Sequence, residues 1–162
     1  MENVYFSLAE NAFWSGIAAV GFGILFNVPR KVVIPILILG LAAGFVKFLF
    51  LNYDFNIVIA TFFASLFVGI FSIPFAYKIH KPIVVLGIPS IIPMIPGYFA
   101  YKTILGMRMF TFFGEDEINR NIALNSIFSN GFTTLFILLA ITIGVASPLL
   151  ILGKDFAMKL KD

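Results

Sequence analysis

The chain reads as an all-α integral membrane protein with about five transmembrane helices, the fourth broken at a Pro/Gly motif. Three observations lead there. Of its 162 residues, 60% are hydrophobic and only 12% are charged, with a mean hydropathy of +1.04. Soluble domains carry about 25% charged residues, so this chain has too little polar surface to cover a soluble globule. The apolar residues also fall into five long stretches separated by short polar breaks. One of those stretches, "IPSIIPMIPGYFAYK" at residues 88–102, contains Pro89, Pro93, Pro96 and Gly97. An α-helix cannot run unbroken through such a run of prolines.

The spans run about 8–28, 32–52, 56–77, 83–111 (broken) and 122–152, in one membrane domain over residues 1–162. About 20 apolar residues cross the hydrocarbon core, so the first three and the fifth each suffice. The first ends at Asn27-Val28-Pro29-Arg30-Lys31, because the residue before a proline avoids the helical region. The second ends in the turn "NYDFN", residues 52–56. The third ends in "KIHKP", residues 78–82, whose basic residues suit a helix C-terminus. His80 there is read as a solvated loop histidine. The fifth opens with "GEDE", residues 114–117, placing carboxylates at the positive end of the helix dipole. Asp116 and Arg120 stand four apart and can pair.

The fourth segment either crosses as two half-helices or dips in and returns as a re-entrant loop. The positive-inside rule favours crossing. With five spans, Arg30, Lys31, Lys78, Lys81, Lys154, Lys159 and Lys161 share one side. Arg108, Arg120, Glu115, Asp116, Glu117 and Asp54 lie opposite. The N-terminus is then outside and the C-terminus cytoplasmic. The first residues lack a basic leader region, so a cleaved signal peptide is not expected. Small-residue pairs Gly40/Gly44, Ala19/Gly23, Ser65/Gly69 and Ala140/Gly144 are spaced for close helix packing, read mostly as contacts within the chain.

Broken helices in mid-membrane are the usual pointer to a transporter's solute site. Pro96 is expected at the first position of the second half-helix, with the amides of Gly97, Tyr98 and Phe99 free. Free amides at a helix N-terminus attract anions, so a substrate carboxylate is the natural guest. A proline kink without ligand is the plainer alternative. Lys102 either complements an anionic substrate or snorkels to the interface. Lys47, nearer its helix end, is read as snorkelling. Tyr98 and Tyr101 line the same cavity or a packing face. Asn27 binds substrate or caps the first helix. Asn125, Ser126, Ser129, Asn130, Thr133 and Thr134 line a solute path or bond neighbouring helices. Candidate substrate-binding residues are therefore Pro93, Pro96, Gly97, Tyr98, Tyr101, Lys102 and Asn27.

The sequence has no cysteine. It shows no metal-ligand cluster, phosphate loop or nucleophile set by spacing, so neither catalysis nor a cofactor or metal is expected. The net charge of +3, segregated by side, does not point to nucleic acid. No Asp or Glu lies deep in a span, so a coupling carboxylate for proton-driven transport would belong to another polypeptide.

Two motifs, "GFGILFNVPRK" at residues 21–31 and "IPSIIPMIPGYFAYK" at 88–102, resemble the threonine/serine exporter (ThrE) family, more narrowly its small-subunit (YjjB-type) form. Pro93, Pro96 and Gly97 are the matching motif positions. The resemblance implies a five-helix half of a ten-helix unit in the bacterial cytoplasmic membrane. It also implies a larger homologous five-span subunit as partner. The cargo it implies is a small anionic or zwitterionic solute: threonine, serine or, for split forms, succinate. The extra N-terminal soluble region of fused members is not expected here. A non-transporting scaffold or assembly subunit is the alternative reading.

Overall fold

In the computed structural model, three described helices end in the same way. The first, α1 (Glu2–Leu25), is followed by Asn27 in the left-handed region, φ 53°. Asn27 N–H donates to Ile24 O at 2.9 Å and Val28 N–H to Gly23 O at 3.1 Å. After α2 (Arg30–Asn52), Asp54 has φ 59°, and Phe55 N–H reaches Phe50 O at 3.2 Å. After α3 (Ile57–Ile79), His80 has φ 55°, and Lys81 N–H reaches Ala76 O at 3.1 Å. Each is a Schellman closure, which satisfies carbonyls otherwise orphaned at a helix end. The Phe50 and Phe55 rings, 5.2 Å apart, supply the apolar contact that accompanies the motif.

The next helix then starts at once. Pro29, Asn56 and Pro82 are its N-caps, with φ of −57°, −58° and −56° and ψ of 140° in each. Asn56 Oδ1 accepts from Val58 N–H at 2.9 Å. The prolines lack a donor at positions where none is needed, and their fixed φ sets the turn. His80 is thus a backbone cap as well as an exposed histidine.

The chain continues through α4 (Ile83–Ile91), a 3-10 turn (Ile92–Met94), α5 (Gly97–Phe113) and α6 (Glu117–Lys159). The structure describes residues 2–113 and 116–159; Glu115 and Lys161, which entered the charge argument, and Gly114 of the expected helix start lie outside the described residues. No strand occurs among the described residues. Four helical stretches are long and apolar enough to cross a membrane: Tyr5–Leu25, Arg30–Asn52, Ile57–Ile79 and Glu117–Pro148. The pair Ile83–Met94 and Gly97–Phe112 makes a fifth if it is one broken span. The protein is therefore an all-α membrane protein.

The last helix starts at Glu117, five residues before the apolar span, with Asp116 at its N-cap position. Asp116 O accepts from Arg120 N–H at 2.9 Å. The Asp116 carboxylate is met by Asn119 Nδ2 at 3.3 Å. The expected Asp116–Arg120 side-chain pair is not formed among the described residues; the nearer amide on the same turn takes the carboxylate.

The helices group into two compact units, one of Met1–Met94 with Ala140–Asp162, the other of Ile95–Leu139. In the first, α2 packs against α1, α3 and α4. Its core holds Ala19, Val32, Ile36, Leu39, Ala76 and Leu86. A Cβ built on Gly40 would stand 2.5 Å from Ala19 Cβ, and one on Gly44 2.6 Å from Ser15 Cβ. Backbones that close need glycine. Ser65 and Gly69 of α3 meet Gly144, Val145 and Pro148 of α6 in the same manner. The small-residue pairs are thus used within the chain. Large apolar side chains such as Phe13, Ile24 and Phe63 remain exposed, as suits contact with lipid. In the second unit, Gly106 lies against Ala123 O and Ile127 N, both within 3.2 Å of a built Cβ, which brings α5 onto the start of α6.

Candidate functional site

The break follows from the prolines. Pro93 and Pro96 lack the N–H groups that a continuous helix would bond to the carbonyls four residues earlier. The last helical bond of α4 runs from Ile92 N–H to Ile88 O. Pro96 stands at the N-cap, one position earlier than expected, because its carbonyl accepts the first bond of α5, from Ala100 N–H at 3.1 Å. Gly97 N–H is not free as expected: it closes a tight turn onto Ile95 O at 2.8 Å. The amides of Tyr98 and Phe99 have no backbone acceptor among the described residues.

Lys47 is the residue the sequence misread. Its side chain turns onto the broken helix instead of standing free. Its Nζ lies 3.5 Å from Met94 O, a carbonyl in the 3-10 turn. Carbonyls at the end of a helix carry partial negative charge, and an ammonium nearby is favoured. Lys47 lines a concavity of about 290 Å³ with Asn11, Trp14, Ser15, Pro93 and Met94, all within the first unit.

The second unit carries a separate polar groove of about 400 Å³ lined by Tyr98, Lys102, Ile122, Asn125, Ser126, Ser129 and Asn130. Lys102 Nζ sits 5.6 Å from the centroid of the Tyr98 ring, a cation–π distance. Ser126 Oγ donates to Lys102 O at 3.4 Å and so ties α6 to α5. Asn130 Nδ2 donates to Ser126 O at 2.8 Å. Of the polar residues of α6, Asn125, Ser126, Ser129 and Asn130 line the groove and Ser126 also bonds the neighbouring helix, while Thr133 and Thr134 bond back to Ser129 O and Asn130 O on α6 itself.

Of the expected site residues, Tyr98 and Lys102 are brought together. Pro93 lines the other concavity. Pro96 and Gly97 act through the backbone at the start of α5. Tyr101 is 59% exposed and lines neither. Asn27 is a helix cap, beside an apolar concavity formed with Val28, Pro29, Val84 and Pro89. Lys47, Asn11 and Ser15 were not among the expected site residues. The four-residue spacing of Asn11 and Ser15 on one face of α1 is the signal that could have found two of them.

A family profile described as Threonine/Serine exporter, ThrE matches residues 11–151. An "Uncharacterized protein" of Haemophilus influenzae is 33% identical over 141 residues, covering 87% of this chain and 46% of that protein. The chain thus spans about half the length of this relative. No solved structure matches. With the profile covering nearly all of a chain that has the apolar spans and the proline-broken helix described above, the protein belongs to the threonine/serine exporter (ThrE) family.

Proposed function

We propose that this chain is one membrane subunit of a secondary exporter for small amino acids of the threonine/serine type or for dicarboxylates such as succinate. It works with a larger homologous membrane subunit in the bacterial cytoplasmic membrane. The observation that carries this reading is the interrupted helix between Ile91 and Gly97 in a chain otherwise built of apolar spans. Backbone left unpaired at membrane depth is tolerated where protein or a water-filled cavity satisfies it, which is how transporter helices form solute sites. The concavity holding Lys47 takes Pro93 and Met94 of that interruption into its lining, and the polar groove holding Lys102 takes Tyr98 of the helix that follows it. An intramembrane lysine is costly unless it has work to do. The family match supplies the cargo class, and the relative's greater length suggests that a second membrane half completes the unit.

The test is reconstitution. Vesicles holding the chain with the membrane subunit that co-purifies with it should move labelled threonine, serine or succinate. Vesicles holding the chain alone should not. A complex that assembles but moves none of the three would favour the scaffold reading.

A further inference from the structure

We infer that the concavity around Lys47 binds a small α-amino acid as its zwitterion. The Lys47 ammonium takes the carboxylate, and Met94 O with Asn11 Oδ1 takes the amino group. The inference rests on the exporter reading and names the site and the charge type of its solute.

Five observations converge. Lys47 belongs to a membrane-spanning helix, and no carboxylate lines its concavity among the described residues. Its hydrogen-bond contact, to Met94 O, is long at 3.5 Å and occupies one of three ammonium donors. Asn11 uses Nδ2 on Ser7 O at 2.8 Å, with Ser7 Oγ at 3.3 Å, and so keeps Oδ1 as an acceptor facing no other donor among the described residues. Ser15 Oγ likewise has no hydrogen-bond partner among them, which leaves a hydroxyl for either end of the solute. The volume of about 290 Å³ suits a small solute.

The pattern of charge decides between the two solute classes. A cation and a carbonyl acceptor stand side by side, which matches the carboxylate and ammonium on one α-carbon. A dicarboxylate would satisfy Lys47 with one end, but its second anion would meet no second cation in the lining, and Met94 O and Asn11 Oδ1 would be left without a donor. Like partial charges meeting in a low-dielectric site repel strongly.

The experiment uses vesicles carrying the full chain with its co-purifying subunit. Labelled threonine and labelled succinate are the probes. Lys47→Met should raise the half-saturating threonine concentration about 10- to 100-fold, the loss of one charge-assisted hydrogen bond. Lys47→Arg should restore most of it. Ser15→Ala, which keeps the packed Cβ, should raise it about 2- to 10-fold. Excess succinate should not compete. A second readout does not depend on transport. Threonine should protect Lys47 from an amine-acylating reagent in intact membranes, read by peptide mass spectrometry, while Lys102 is not protected. An unchanged threonine affinity in Lys47→Met, or acylation of Lys47 indifferent to threonine, overturns the site. Succinate competing as well as threonine overturns the zwitterion assignment. Wild-type vesicles that move neither solute would instead overturn the exporter reading, and the protection assay would still decide whether Lys47 binds.

Discussion

Gly144 of α6 lies so close to Ser65 of α3 that a methyl group on the glycine would overlap the serine hydroxyl. The Phe62 carbonyl oxygen is 2.9 Å from the same built position. Ser65 Oγ in turn hydrogen-bonds Ala140 O at 3.2 Å, one turn earlier on α6. Lipid offers no hydrophobic drive for helices to associate, so close backbone approach and a buried hydroxyl bond hold this pair.

Gly144→Leu should therefore lower the unfolding midpoint of the purified protein in detergent. Overpacking a tight contact costs about 1–3 kcal/mol. Gly21→Ala is the control, since a Cβ there meets nothing within 4 Å. Equal midpoints for the two variants would show that the α3–α6 contact contributes nothing.

The three connectors make a second prediction. Asn27, Asp54 and His80 hold left-handed backbone that costs a side chain of ordinary type about 1 kcal/mol. His80→Gly should stabilise the protein by about that amount, and His80→Val should destabilise it. Asn27→Gly should keep both stability and transport. Loss of transport with the fold intact would return Asn27 to the solute site.

Much of the fold was legible in the sequence for a local reason. Hydropathy marks apolar spans, prolines mark the break between Ile91 and Gly97, and acidic residues mark the start of α6. Each is a property of neighbours along the chain. The common form of the connectors was partly hidden, because only Pro29 and Pro82 announce it while Asn56 does the same work with a side-chain cap. Lys47 was misread because its contact with Met94 spans 47 residues, and nothing near Lys47 indicates which way its side chain turns. The Tyr98–Lys102 pair was legible, being one helical turn apart.

The side on which α5 ends is the third prediction. The sequence lacks cysteine, so single cysteines report cleanly. If the broken pair crosses the membrane, Tyr53→Cys and Glu117→Cys should react with an impermeant maleimide added to whole cells, and Lys81→Cys should not. If the pair is re-entrant, Glu117→Cys will be protected like Lys81→Cys, and the five-span arrangement is wrong.

The start of α5 separates a structural break from a working one. A Cβ on Gly97 would meet nothing within 4 Å, and the residue is exposed. Its N–H already serves the turn onto Ile95, so Gly97→Leu should leave assembly and the unfolding midpoint unchanged. The added bulk stands beside the unpaired amides of Tyr98 and Phe99, where it would hinder a carboxylate from approaching. A slower threonine flux in Gly97→Leu, with the complex intact, would show that the solute passes this helix end. Lys102 lies in an open groove over the Tyr98 ring, so its charge should guide anions more than hold them. Lys102→Met should then lower the flux most at low ionic strength, where screening is weak. Its half-saturating concentration should move by about fivefold or less, the range of exposed charge pairs. A larger shift than that of Lys47→Met would place the holding charge at Lys102. Silence in both Gly97→Leu and Lys102→Met would mean the solute does not use the α5 side of the break at all.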